Sequence, residues 1–304
     1  MYKRQGVQIV DAHRHLWDLS RNYYPWLCNH PRIAFRYGDY REICNNYLPE
    51  DYERDSASYV VVGSVHIEAE WDPNDPVAET RWLDAIAPEC RHTLVVVAQA
   101  RLDREDIEDV LRAHATSLSV RGVRHKPTAS PTAHSVKRDG AGSMDDPRWR
   151  DGFAHLADYE LSFDLQAPFW HLDQAAELAR DFPRTTIILN HTGLPGGRDR
   201  ESLAPWRHAL ELLALEPNTA VKISGLGQPS QPWTVASNCN VVRDTISIFG
   251  VNRCMFGSNF PVDRLCATFN DIYRGFDEIV SEYSHEDRDK FFRSNAIDYY
   301  RMSV

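Results

Sequence analysis

Eight short apolar runs alternate with helix-like segments along the chain, and this alternation restricts the fold more than any other feature. Several runs are rich in Val and Ile and apolar on both faces, which is typical of parallel strands whose two faces are covered. Segments with helical periodicity lie between them, as at 75–89 and 203–216. The sequence therefore predicts an α/β fold, a (β/α)₈ TIM-like barrel. The runs are 7–13, 58–68, 92–102, 120–126, 161–168, 185–193, 220–227 and 253–261.

Two features of the chain bear on this prediction. An open doubly wound sheet would need a Gly-rich turn after the first strand, and "VDAHRHLWD" has none. Two irregular segments, 17–50 and 126–146, interrupt the alternation after strands 1 and 4. Both follow carboxyl ends of strands, where the loops of such barrels build active sites. We expect one barrel domain over residues 1–304 with these two insertions.

The composition indicates the kind of partner. The chain has 44 acidic and 34 basic residues spread along its length, a net charge of -10, which argues against a nucleic acid or an anionic membrane as partner. It has no apolar run of about 18 residues and no secretory apolar segment. Six cysteines lie apart without a C-x-x-C pair. We expect a cytoplasmic protein that acts on a small molecule, alone or as a homo-oligomer.

Polar residues follow the ends of the predicted strands, which converge on one mouth in a barrel. In "IVDAHRHLWD", His13 and His15 are two residues apart and share a face, whereas Arg14 points the other way. This spacing suits two imidazoles on one divalent ion, or two histidines that only bond to neighbouring backbone. In a regular strand Asp11 would share their face, one layer deeper.

For the candidate residues at the other strand ends, the sequence also allows more than one role. An inward Arg124 offers a planar fork to a carboxylate or polarises a carbonyl, although a salt bridge toward the helices is the alternative. His191 is a third ligand, a substrate donor or a core histidine. In the aromatic insertion, Trp17 belongs either to a lid over the mouth or to ordinary loop packing. The further candidates are His66, Glu68, Gln166, Lys222, Asn259 and Asp263.

Five of these segments together resemble a known family. In this order and at these spacings, "DAHRHLWD", "VRGVRH", "NHTGLP", "VKISGL" and "MFGSNFPVD" resemble the amidohydrolase superfamily, in its amidohydrolase 2 branch. That branch contains 2-pyrone-4,6-dicarboxylate lactonase and the sugar-acid lactonases. The resemblance extends from residue 7 to about residue 295. It implies a barrel with His13 and His15 on the first strand and His191 on the sixth.

The chain departs from the family at two positions. The eighth strand carries Asn259 where the family has an Asp that takes the proton from the attacking water, and an amide cannot act as that base. Gln166 stands where many metal-binding members have a histidine. We therefore expect either no required cofactor or one weakly bound Zn²⁺ or Mn²⁺ on His13, His15 and His191.

The resemblance implies hydrolysis of a small cyclic ester, a lactone that carries a carboxylate in one version of the hypothesis. His13, His15 and His191 would surround the carbonyl, and the missing base would be Asp263, Asp11 or Glu68. Three alternatives stay open: a lactone isomerase, a decarboxylase, and a catalytically silent barrel that binds a small molecule.

Overall fold

The computed structural model describes residues 8–304. Eight parallel strands within these residues form one sheet in sequential order, with helices between successive strands, so the predicted (β/α)₈ barrel is confirmed. The strands are β1 Gln8–Arg14, β2 Val60–Ile67, β3 Thr93–Gln99, β4 Val120–Arg124, β5 Ser162–Leu165, β6 Ile187–Leu189, β7 Thr219–Ile223 and β8 Cys254–Phe256. Each lies within or next to one of the eight apolar runs.

Eleven α-helices accompany these strands in the part of the chain that the structure describes. The long ones lie outside the sheet and bury one face, as the helical periodicity predicts. The helices are α1 Pro25–Cys28, α2 Pro49–Asp55, α3 Ala78–Ile86, α4 Ile107–Ala115, α5 Pro147–Ala154, α6 Leu172–Asp181, α7 Arg200–Ala214, α8 Val235–Phe249, α9 Phe269–Ile279, α10 His285–Asp289 and α11 Asn295–Tyr299.

The barrel closes where β1 meets the segment after β8. The backbone N–H of His15 donates to the carbonyl of Phe260 at 2.7 Å, and the N–H of Asn259 donates to the carbonyl of His13 at 2.7 Å. The closure therefore puts the two histidines of the first strand beside the residue that resembles the family's eighth-strand acid.

The opposite end of the barrel is filled by the C-terminal segment. Tyr300 and Met302 join an apolar cluster inside the barrel, and the Tyr300 hydroxyl donates to the Asp164 carboxylate at 3.0 Å. A second, larger cluster packs the strands against the helices. Because one end is plugged by packed side chains, the end with the polar strand termini is where a ligand can enter.

Both predicted insertions are present and border this mouth. The first contains α1 and leads into α2, and its Trp26 indole N–H donates to the Ala69 carbonyl at 2.8 Å. The second precedes α5 and is held by Arg138, whose guanidinium pairs with Asp145 at 2.7 Å. No helix within residues 8–304 is long and apolar enough to cross a membrane.

Candidate active site

An irregularity in β1 turns its histidines into the barrel. Between Asp11 and Arg14 the strand takes three steps while the paired β2 takes two, which is a β-bulge. Val10 and Ala12 face the barrel interior, whereas Asp11, between them, accepts hydrogen bonds from the backbone N–H and hydroxyl of Ser258 at 2.7 and 2.6 Å. The expectation that Asp11 shares the histidines' face is wrong because the strand is not regular. Asp11 braces β1 against the segment after β8.

His15 presents an unprotonated nitrogen to the mouth. Its Nδ1 lies 2.8 Å from the Ile67 carbonyl oxygen, which can only accept, so the ring proton belongs on Nδ1. Burial and the nearby Arg124 charge lower the pKa of His15 to about 3, so the ring is neutral near pH 7. Its Nε2, 3.4 Å from Oδ1 of Asn259, therefore carries a lone pair.

Asn259 is oriented by a carboxylate behind it. Its Nδ2 donates to Oδ1 of Asp263 at 2.6 Å, and the same oxygen accepts from the Tyr37 hydroxyl at 2.8 Å. An ionised carboxylate can only accept, so the amide nitrogen must face Asp263 and the amide oxygen must face His15. Burial raises the pKa of Asp263 to about 6, and Arg36 is the strongest of the groups that oppose the rise.

Two further histidines lie beside His15. The rings of His13 and His191 have centroids 4.4 Å apart, and those of His13 and His15 are 5.2 Å apart. His191 Nδ1 lies 2.9 Å from the Ser224 hydroxyl. Neither ring nitrogen of the buried His13 has a hydrogen-bond partner within residues 8–304, so a ligand or water has polar atoms to satisfy here. Burial lowers the pKa of both His13 and His191, so these rings are neutral as well.

Gly225 leaves the space that the His191 ring occupies. A Cβ at this glycine would lie 2.3 Å from Nδ1 of His191 and 2.6 Å from a guanidinium nitrogen of Arg36, and its φ is +59°. Both the close approach and the left-handed backbone require glycine. The imidazole that follows β6 and the arginine of the first insertion therefore meet at one point of the mouth.

Arg124 is held rigidly at the end of β4. Its Nε donates to Glu68 at 2.6 Å, one Nη donates to the Glu68 carbonyl, and the other donates to Oε1 of Gln166 at 3.1 Å. Since a guanidinium has five N–H donors, about two remain for a ligand. The side chains of Arg124 and Glu68 are each 4% exposed, so the ion pair is largely removed from water. The three predicted residues Arg124, Glu68 and Gln166 thus form one unit.

Two adjoining cavities open over these residues. The smaller, about 60 Å³, is lined by His15, His191, Asn259, Arg124 and Gln166 together with residues of the first insertion. The larger, about 680 Å³, is bordered by Glu68 and Gln99 and shares Arg124 and Trp26 with the smaller. The mouth therefore has a compact polar chamber next to a wider vestibule.

The sequence did not single out Trp26, Arg36 and Glu70, which also line the small cavity. Arg36 and Trp26 come from the first insertion. A cation amid the aromatic residues of "RIAFRYGDY" was a signal, but the local pattern does not reveal which way its side chain points.

Three predicted substrate-binding residues lie away from both cavities. Lys222 is fully buried deep in the barrel, paired with Asp164 and 4.9 Å from the Tyr300 ring. His66 faces α3, where its Nε2 lies 3.2 Å from Glu79. Trp17 is fully buried and donates to a backbone carbonyl of its own insertion at 2.7 Å. The geometry gives none of the three a surface for substrate.

Asp263 also stays outside the cavities. Its side chain is 1% exposed and both of its observed hydrogen bonds come from Asn259 and Tyr37. The structure therefore places the carboxylate behind Asn259, where it positions the amide, and not in contact with the space that a water or substrate would occupy.

The fold and the mouth place the chain in the class of (β/α)₈ barrel hydrolases, with imidazoles and an arginine at the carboxyl ends of the strands. The family model described as Amidohydrolase matches residues 10–302, and the chain belongs to that family. A protein of Sinorhizobium fredii with the printed name "Uncharacterized protein y4mH" is 38% identical over 97% of this chain and 99% of its own length.

Two further proteins are more distant. An L-fucono-1,5-lactonase of Burkholderia ambifaria is 26% identical over 96% of this chain and 95% of its own length. A crystal structure of an amidohydrolase from Burkholderia multivorans with bound zinc has a TM-score of 0.77 at 22% identity, covering 98% of this chain and 100% of that one. At this identity the structural likeness shows the shared fold alone.

The residues of this chain do not fit a tightly held divalent ion. Within residues 8–304 there is no group of three His, Cys, Asp or Glu side chains placed to hold a metal. The unpartnered nitrogens of His13 and the lone pair on Nε2 of His15 favour a ligand, but the carboxylate of Asp263 is turned to Asn259 and does not join them. Arg36 and Arg124 add positive charge, which repels a cation.

Proposed function

We propose that this amidohydrolase hydrolyses a small lactone by attack of a water held between His15 and Asn259. The observation that carries the proposal is the contact between two acceptors: the lone pair on Nε2 of His15 and the amide oxygen of Asn259, 3.4 Å apart. Two acceptors at this distance need a donor that serves both. A water molecule supplies two O–H donors, and it would leave its own lone pair free to attack a carbonyl carbon.

His15 is the base in this scheme. As the water attacks, Nε2 takes one of its protons while Nδ1–H keeps its bond to the Ile67 carbonyl, which holds the ring in the required tautomer. Burial and Arg124 make His15 a weak base in the empty site. Negative charge that develops on the substrate beside Arg124 offsets that effect and strengthens the base when it is needed.

Arg124 stabilises the oxyanion. Its bonds to Glu68 and Gln166 fix the plane of the guanidinium, which lines the cavity and has N–H donors left for a ligand. Preorganised donors of this kind contribute about 3–4 kcal/mol of transition-state stabilisation. No metal is required for these steps.

Ring opening completes the reaction. The C–O bond of the tetrahedral intermediate breaks toward the ring oxygen, and the proton held on Nε2 of His15 passes to that oxygen. The products are one hydroxyl and one carboxylic acid, His15 returns to its neutral form, and the acid releases its proton to solvent to give the carboxylate. The 26% identical relative named L-fucono-1,5-lactonase supports a lactone as the substrate class.

The proposal is tested with two lactones, neutral γ-valerolactone and anionic γ-carboxy-γ-butyrolactone, in water enriched in ¹⁸O. Hydrolysis of either yields the open hydroxy acid with one ¹⁸O in the new carboxylate. An isomeric lactone recovered in place of the hydroxy acid would identify an isomerase, and released CO₂ a decarboxylase. If both lactones and a wider lactone panel are returned unchanged at high enzyme concentration, lactone hydrolysis is wrong.

A further inference from the structure

The first insertion delivers an arginine, Arg36, to the small cavity, where its charge also lowers the pKa of the nearby Asp263. Arg36 lines this cavity, and its guanidinium carbon lies 4.5 Å from the centre of the Tyr37 ring. Within residues 8–304 the Arg36 guanidinium makes no hydrogen bond or ion pair, so its donors are free for a ligand. The arginines of the second insertion and of β4 are both paired with carboxylates.

The position of Arg36 is fixed relative to the reacting groups. One of its terminal nitrogens and Nδ1 of His191 both lie against Gly225, within 2.6 and 2.3 Å of the point where a Cβ would be. Stacking on Tyr37 holds the plane of the guanidinium, as arginine on an aromatic face commonly does. Arg36 is thus next to the catalytic imidazoles and not only on the rim.

The charges around the cavity favour an anion. The cations that line it are Arg36, Arg124 and Lys126, and the carboxylate that lines it, Glu70, is already paired with Lys126. Asp263 is nearby but forms no ion pair with Arg36 and is occupied by Asn259 and Tyr37. The cavity of about 60 Å³ has room for about two waters, and it adjoins the larger cavity of about 680 Å³, so a carboxylate bound here has space for the rest of the substrate beside it.

We propose that Arg36 binds a carboxylate carried by the substrate, so that the chain prefers anionic lactones over neutral ones. This assignment rests on the proposed lactone hydrolysis. Arg124 is committed to Glu68 and Gln166, whereas Arg36 has a full planar fork to offer. Arg36 is a specificity-determining residue of the site.

The test compares the same two lactones, which differ by a methyl group in place of a carboxylate. In the wild type kcat/KM is higher for γ-carboxy-γ-butyrolactone, and Arg36→Met lowers the ratio of the two kcat/KM values by about 10- to 100-fold. Arg36→Lys keeps the charge and loses less. Arg41→Met is the matched control, because Arg41 lies in the same insertion but is exposed and paired with Asp39; it keeps the wild-type ratio.

Two results overturn the assignment: an unchanged ratio in Arg36→Met, and an equal loss for both lactones, which indicates a merely structural role. A binding measurement separates this outcome from failure of lactone hydrolysis. If neither lactone is opened, calorimetry with glutarate still decides: binding to the wild type and Arg41→Met but not to Arg36→Met supports a carboxylate site. Equal binding to all three, or none to the wild type, contradicts it.

Discussion

Replacement of Asp263 by Asn is expected to stabilise the protein at neutral pH while it weakens the site. The Asp263 side chain is 1% exposed, and burial raises its pKa to about 6 from an ordinary value of 3.8. The Arg36 charge and the hydrogen bonds from Asn259 and Tyr37 do not fully offset the cost of ionising a carboxyl away from water. The ionised Asp263 therefore destabilises the folded protein at neutral pH while it orients Asn259.

The magnitude follows from the difference in pKa. A folded-state pKa above the unfolded one means that the folded protein binds the proton more tightly, so the stabilisation is complete below about pH 4 and is lost as pH rises through 6. About two pKa units correspond to about 3 kcal/mol at pH 8. Because Asn cannot ionise, Asp263→Asn does not incur this loss. For a chain of this length the gain is about 5 °C in Tm.

The assay is thermal unfolding of the wild type and Asp263→Asn between pH 4 and 8. The difference in Tm should be near zero at pH 4 and grow with pH, since every other titrating group is common to both proteins. Asp109→Asn, at an exposed position on α4, controls for removal of a carboxylate. A pH-independent difference, or a variant less stable than the wild type at pH 8, would refute the reasoning.

The same variant separates a positioning role from a catalytic one. With a neutral amide behind it, Asn259 keeps a weaker hydrogen bond, so kcat should fall by about tenfold. The acid limb of the pH profile near pH 6, where Asp263 loses its charge, should disappear. A loss of more than a thousandfold would instead make Asp263 the base.

Three further predictions concern the rest of the mouth. His15→Gln should lower kcat by about 10²- to 10⁴-fold with an unchanged circular dichroism spectrum, and near wild-type turnover would exclude His15 as the base. Gly225→Ala should lose about 1–3 kcal/mol of stability and most activity, because its Cβ would meet His191 at 2.3 Å, whereas Gly196→Ala, with open space around it, should be neutral in both unfolding and rate assays. Prolonged dialysis against a chelator should leave turnover intact, and a loss that Zn²⁺ or Mn²⁺ restores would show that a metal takes part.

The fold could be predicted from the sequence because its signal is local and repeated. Each strand lies in or beside a short apolar run, and several of these runs are rich in Val and Ile. The convergence of His15, Arg124, Gln166, His191 and Asn259 on one cavity follows from this, since parallel strands in a closed barrel end at one mouth. Their catalytic roles stay predictions.

The direction of individual side chains could not be predicted from the local sequence pattern. His66 was expected at the mouth but faces α3, where it bonds to Glu79. Lys222 does point inward, but a layer too deep, where Asp164 neutralises it. Strand alternation predicts which of two faces a side chain lies on. It does not predict how deep in the barrel the side chain lies, nor the bulge in β1 that puts Asp11 on a different face from the histidines.

The sequence by itself thus determined the barrel, the end of it that carries the polar residues, and the replacement of the family's acid by Asn259. Only the tertiary structure decided what that replacement means. Asp263, 4 residues further on, turns the amide oxygen toward His15, and the first insertion folds back to bring Arg36 against Gly225. The physical reason is that apolar periodicity is set by neighbours along the chain. The orientation of an amide or a guanidinium is set by partners that meet only when the barrel closes.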